Sequence, residues 1–136
     1  MHLAALRRWP VAEVTREVFE RIKQSKQAFE KFTVVSGSME PLIKVGAQII
    51  VAINASPKKF DVVAFWGGDR LICHVLWHEN VFLNQSAGKI YRTCPLQAQA
   101  VDLSITDDDL LGVVENFRLS WWQKIKLAWR LRAKGL

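Results

Sequence analysis

Three side chains in this 136-residue chain are of types that can together break an acyl bond: Ser36, Ser38 and His74. The serines lie in Ser36-Gly37-Ser38-Met39-Glu40-Pro41. Glycine lets the backbone turn tightly and approach a ligand closely. Proline ends regular hydrogen bonding just after Ser38. Ser38 is therefore expected at an exposed bend, where a nucleophile has to sit. A serine hydroxyl is a poor nucleophile until a neighbouring base takes its proton. Imidazole is the side chain most used for that step, and His74 is the candidate. Each feature also has an ordinary reading. Ser-Gly-Ser is a common turn composition, and a single histidine in a strand usually serves structure. The two together give the catalytic reading its weight.

The elements that must position these groups are mostly strands. Residues 47–54 and 61–77 read as three strands, and Gly67-Gly68-Asp69 turns the second into the third as a β-hairpin. His74 falls in the return strand, between Cys73 and Val75. Alternation along a strand turns Cys73 away from whatever His74 serves. His78-Glu79-Asn80 reads as a polar turn, and residues 84–100 as loop with short strands. Thr106-Asp107-Asp108-Asp109 reads as the cap of a single helical turn, solvated rather than metal-binding. Leu110–Phe117 reads as a closing strand. Before the serines, Val11, Val14, Val18, Ile22, Phe29 and Phe32 recur at helical spacing and predict an amphipathic helix over 11–32. It is too charged to span a bilayer, which needs about 20 mostly apolar residues.

This pattern resembles the signal peptidase I and LexA-type superfamily of serine peptidases, over roughly residues 34–117. That family has a Ser-x-Ser-Met-x-Pro box, then a glycine and an apolar strand, here Gly46 and Ile49-Ile50-Val51. A Gly-Asp-Val-Val-x-Phe-like strand follows, here Phe60-Asp61-Val62-Val63-Ala64-Phe65, and a hairpin whose return strand carries the base. The resemblance implies a mainly β, β-barrel-type catalytic fold, here with an N-terminal amphipathic helix and a C-terminal basic one. It assigns Ser38 as nucleophile. It assigns Ser36, with the backbone of Ser38, to the oxyanion hole. His74-Val75 matches the histidine-base branch found in the endoplasmic reticulum and in archaea. It implies a peptide or protein substrate bound in extended form and cut after a small residue, with no cofactor or metal. Two departures stand out. Gly46-Ala47 and Phe60-Asp61 replace Gly-Asp pairs. The aspartate that orients the histidine is expected in a loop after the hairpin, and the matching stretch, Asn84-Gln85-Ser86-Ala87-Gly88, has none.

Length and composition set the remaining bounds. The chain is one domain, half hydrophobic, with six tryptophans. Its two cysteines, Cys73 and Cys94, have no metal-ligand spacing and form no disulfide framework. Cys73 reads as core and Cys94 as a loop residue. No signal-peptide core precedes the box. There are 19 basic and 13 acidic residues, and the whole excess of +6 lies in Arg118, Lys124, Lys126, Arg130, Arg132 and Lys134. This tail predicts a helix from about Ser120 to Lys134, with Trp121, Trp122, Ile125, Ala128 and Trp129 on one side and Lys126, Arg130 and Lys134 on the other. Such a helix suits an anionic membrane surface, contacted through Trp121, Trp122, Lys126, Trp129 and Arg130. It also suits packing of its tryptophan face on the chain's own core. Nucleic acid ranks below both, because aromatic residues gathered on one face fit lipid or protein better than phosphate.

These features lead to a serine endopeptidase acting through Ser38 and His74. The expected location is cytoplasmic, peripheral on the inner membrane face. The alternative from another class is a catalytically degenerate, peptidase-like binding module or membrane-surface adaptor, which the missing aspartate favours. A self-cleaving regulator like LexA is discounted, since one helix before the box is too little for a helix-turn-helix unit.

Overall fold

The computed structural model describes residues 9–10, 14–81 and 89–136. It is mainly β: an open eight-stranded sheet with two helices. The strands are β1 (Trp9–Pro10), β2 (Phe29–Thr33), β3 (Gln48–Ile53), β4 (Val62–Gly67), β5 (Arg70–Val81), β6 (Lys89–Cys94), β7 (Ile105–Thr106) and β8 (Leu110–Val114). The helices are α1 (Arg16–Gln24) and α2 (Trp121–Ala133). The order across the sheet is β1-β2-β3-β8-β4-β5-β6-β7. Among the described residues only the two-residue β1 pairs in parallel, with β2.

The predicted helix over 11–32 is shorter than its apolar spacing suggests; residues 11–13 lie outside the described residues. The hydroxyl of Thr15 caps the start of α1 by accepting from Val18 N–H at 3.2 Å. At the other end Ser25 donates from both its N–H and its hydroxyl to the Ile22 carbonyl. Phe29 and Phe32 belong instead to β2, whose burial alternates with a period of two: Glu30 and Phe32 turn inward and Phe29 outward. Cross-strand pairing with β3, from Phe29 opposite Ala52 to Thr33 opposite Gln48, overrides the helical spacing. Two further readings change. His78 and Glu79 are no turn, because β5 runs unbroken to Val81 and pairs with β6. Thr106 and its acidic neighbours cap no helix. They turn β7 into β8, where Asp107 accepts the Tyr91 hydroxyl at 2.6 Å and Asp109 pairs with Arg16 at 2.8 Å.

One core cluster joins both helices to the sheet. Phe19 and Ile22 of α1, Phe32, Ile49 and Val51 of the sheet, and Leu127 and Leu131 of α2 are all buried in it. A smaller cluster of Val63, Phe65, Leu76, Tyr91, Ile105 and Leu110 covers part of the other face. Lys23 fixes α1 by donating to the carbonyls of Asp107 and Leu110. The helix of the basic tail forms with the expected bounds. Ser120 caps it through a reciprocal bond pair with Gln123. Its inward face is not the tryptophan side. Leu127 and Leu131, four residues apart, are fully buried, while Trp121, Trp122 and Trp129 are 74%, 57% and 79% exposed. Arg130 is likewise no free surface cation, for its guanidinium bonds to the Leu96 carbonyl at 2.7 Å and to Gln97 at 2.8 Å. Among the described residues no helix is long and apolar enough to cross a membrane.

β8 pairs with β3 on one side and β4 on the other. Gly112 sits at this junction, opposite both Ile53 and Ala64. A methyl group added there would lie 2.0 Å from the Ala52 carbonyl oxygen. Gly112→Ala should therefore destabilise the fold by about 1–3 kcal/mol or more, measured as a lowered urea midpoint with unchanged slope.

Candidate active site

The serine box is the tip of the long connection between β2 and β3. The base of that connection is pinched shut: Val34 N–H donates to the Ala47 carbonyl at 2.8 Å, and Gly46 N–H to the Val34 carbonyl at 2.7 Å. Gly46 adopts φ +91°, a left-handed conformation that side chains disfavour, which explains a glycine shortly after the box. Inside the loop, Met39 and Ile43 are buried and fasten it to the main core. Ser36 and Gly37 stay exposed and Ser38 is half-buried. The apolar members of the box thus anchor it and the polar members face the cleft.

The hairpin brings the imidazole. Gly67 pairs with Arg70, so Gly68-Asp69 is a two-residue turn with Gly68 at φ +75°. Along β5, Leu71, Cys73, Val75 and Trp77 join the main cluster, while Ile72 and Leu76 join the smaller one. His74 shares the second face, its ring edge-on to Phe65 with centroids 5.9 Å apart. Its Nε2 lies 3.2 Å from Ser38 Oγ. The side chain is only 12% exposed.

The group that orients His74 is Asp102. Its Oδ2 stands 2.6 Å from His74 Nδ1. The same oxygen accepts the Thr93 hydroxyl at 2.7 Å, and Asp102 N–H donates to the Thr93 carbonyl at 2.8 Å. Thr93 is opposite Leu76, and so on the His74 face of the paired strands. The stretch matched to the family's aspartate loop, 84–88, holds no carboxylate and lies outside the described residues; the carboxylate found comes after β6 instead. Burial opposes the Asp102 charge, but the hydrogen bond and attraction of His74, with the Thr93 hydroxyl, outweigh it and hold the carboxyl below its ordinary range. An ionised carboxylate on Nδ1 keeps that nitrogen protonated and leaves Nε2 to accept from Ser38.

Ser36 lies beside Ser38. Its hydroxyl is 3.3 Å from Ser38 Oγ and accepts Ser38 N–H, also at 3.3 Å. These are long bonds that a charged oxygen could displace at small cost. Beside the serines opens a cleft of about 230 Å³, with apolar walls from Val34, Val35, Met39, Ile43, Leu71 and Ile72. Cys73 faces the core yet also borders this cleft. Burial pushes its thiol up to about 12, and Cys94, fully buried rather than in an open loop, also to about 12, so neither supplies a thiolate near neutral pH. Among the described residues no cluster of histidine, cysteine and carboxylate groups could hold a metal ion.

No protein-family model, curated protein or solved structure matches the chain. The functional reading therefore rests on the geometry of these side chains.

Two outcomes follow for the aspartate. Thr93→Val should cost about 1.5–3 kcal/mol of stability, the range for hydrogen bonds to charged groups, read from urea midpoints at pH 7. Because folding lowers the Asp102 pKa, its ionised form contributes stability that is complete above the ordinary carboxylate range and is lost as pH falls through the lowered value. The stability gap between wild type and Asp102→Asn should accordingly shrink on acidification. A gap that stays constant to low pH would show that Asp102 is not held ionised by this network.

Proposed function

We propose that the protein is a serine endopeptidase resembling signal peptidase, of the histidine-base type, with Ser38, His74 and Asp102 as its working line. What carries the reading is the unbroken chain of contacts from Ser38 Oγ to His74 to Asp102 to Thr93, at 3.2, 2.6 and 2.7 Å. An open, mainly β sheet with the serine box before β3 and the base on a hairpin supports the signal peptidase/LexA-like fold assignment. In the reaction, Ser38 Oγ attacks the scissile carbonyl carbon while His74 Nε2 takes its proton. The tetrahedral oxyanion is held by Ser38 N–H and the Ser36 hydroxyl. Collapse breaks the C–N bond, and His74 passes the proton to the leaving amine. A water, deprotonated by His74, then releases the acyl group and restores Ser38. Asp102 holds the ring and steadies the imidazolium. The substrate is a peptide lying extended beside the cleft, whose apolar walls suit small uncharged side chains at alternate positions.

The test is digestion of a diverse peptide library followed by mass spectrometry. Wild type should cut at a restricted set of bonds. Ser38→Ala and His74→Ala should abolish cleavage with the fold intact by circular dichroism. Asp102→Asn should lower turnover by roughly 10⁴-fold, and Ser36→Ala by about 10²–10³-fold with little change in KM, as expected for loss of an oxyanion donor. Cys73→Ala and Cys94→Ala should each leave cleavage largely intact. A folded wild type that binds library peptides and cuts none would make the protein a binding module instead.

A further inference from the structure

α2 presents two unlike faces. Leu127 and Leu131 are fully buried, and Ala128 packs against the same core. On a helix, residues three, four and seven apart share a side, which places Trp122, Trp129, Lys126 and Arg132 away from that pair. Trp122 and Trp129 are 57% and 79% exposed, and Trp121, at the first turn, is 74% exposed. Three of the largest apolar side chains in the chain thus face solvent on one short helix. Single exposed apolar residues are ordinary, but a contiguous group marks a contact surface.

The charge around this group decides what it contacts. From Arg118 to Leu136 there are six cations and no acid, whereas the rest of the chain is balanced at 13 and 13. With Arg130 tied to Leu96 and Gln97, the exposed cations on the helix side away from the core are Lys126 and Arg132, the latter three residues beyond Trp129. Lys126 is not on the side opposite the tryptophans, as its spacing predicts, but on theirs: four residues from Trp122, its ammonium lies 5.6 Å from the centre of that ring. A protein-binding hot spot buries its aromatic residues in a pocket of the partner with few lysines at its centre. Indole rings interleaved with lysine and arginine fit the interfacial layer of a bilayer, where the ring lies at headgroup depth and the cation reaches lipid phosphate.

We infer that the outward face of α2, formed by Trp121, Trp122 and Trp129 with Lys126 and Arg132, docks the protein on an anionic lipid surface. Docking is peripheral, since the opposite face of α2 stays on the core. The inference does not depend on Ser38 being a nucleophile.

The experiment uses the full chain and two sets of vesicles, phosphatidylcholine alone and phosphatidylcholine with phosphatidylglycerol, assayed by co-sedimentation. Wild type should bind the anionic vesicles, shift its tryptophan emission to the blue and release with added salt. It should bind the neutral vesicles far more weakly. Replacing Trp121, Trp122 and Trp129 together by serine, all at exposed positions, should abolish binding without loss of helix signal. Lys126→Gln and Arg132→Gln should each weaken it by roughly fivefold. Folded wild type that ignores anionic vesicles at low salt overturns the inference. So does a triple-serine variant that binds like wild type. A wild type that forms tryptophan-dependent dimers and binds no vesicles would assign the face to a second copy of the chain and overturn it equally.

Discussion

The whole arrangement depends on β8 lying between β3 and β4. Pairing of β2 with β3 builds one half of the sheet and carries the serine loop. Pairing of β4, β5 and β6 builds the other half and carries His74 and Thr93. Among the described residues, the sheet joins these halves only through β8, a strand from late in the chain. The 3.2 Å contact between Ser38 and His74 thus depends on backbone bonds made far from either residue. Gly112 pairs with both neighbouring strands, and a side chain there would collide with the backbone of β3.

Within that frame the polar line is held by groups that could not be spared cheaply. A buried hydroxyl without a partner is costly, and Thr93, fully buried, spends its donor on Asp102. Asp102 spends one carboxylate oxygen on both Thr93 and His74. The imidazole is walled by Phe65 on one side and opens toward Ser38 on the other. By contrast, the serines bond to each other only at 3.3 Å. The line from His74 through Asp102 to Thr93 is tightly satisfied, and the pair of serines only loosely.

Much of this was legible in the sequence wherever the signal is local. Gly68 turns its hairpin, the box forms a bend, and Ser120 starts a helix because each acts on residues beside it. Ser38 and His74 could be paired because both are of unusual chemical type. Asp102 could not, because nothing near it repeats or punctuates; only the antiparallel return of β6 puts a residue nine positions beyond Thr93 against the imidazole. A useful sign would have been that Asp102 is the first carboxylate after the strand paired with β5. Phe29 and Phe32 misled through their spacing, which fits a helix, while buried Glu30 hid the alternation of a strand. In α2 the size of the tryptophans drew attention from Leu127 and Leu131, whose interval of four marks the face that packs.

Leu96 links the two ends of the molecule. Its N–H holds the Ser38 carbonyl at 3.3 Å, and its own carbonyl receives Arg130 from α2. A single residue is therefore a strut between the last helix and the backbone that aims the serine hydroxyl. Two hydrogen bonds therefore separate that helix from the peptide of Ser38. The last helix and the serine bend are thus tied to the same residue, one through its carbonyl and the other through its N–H.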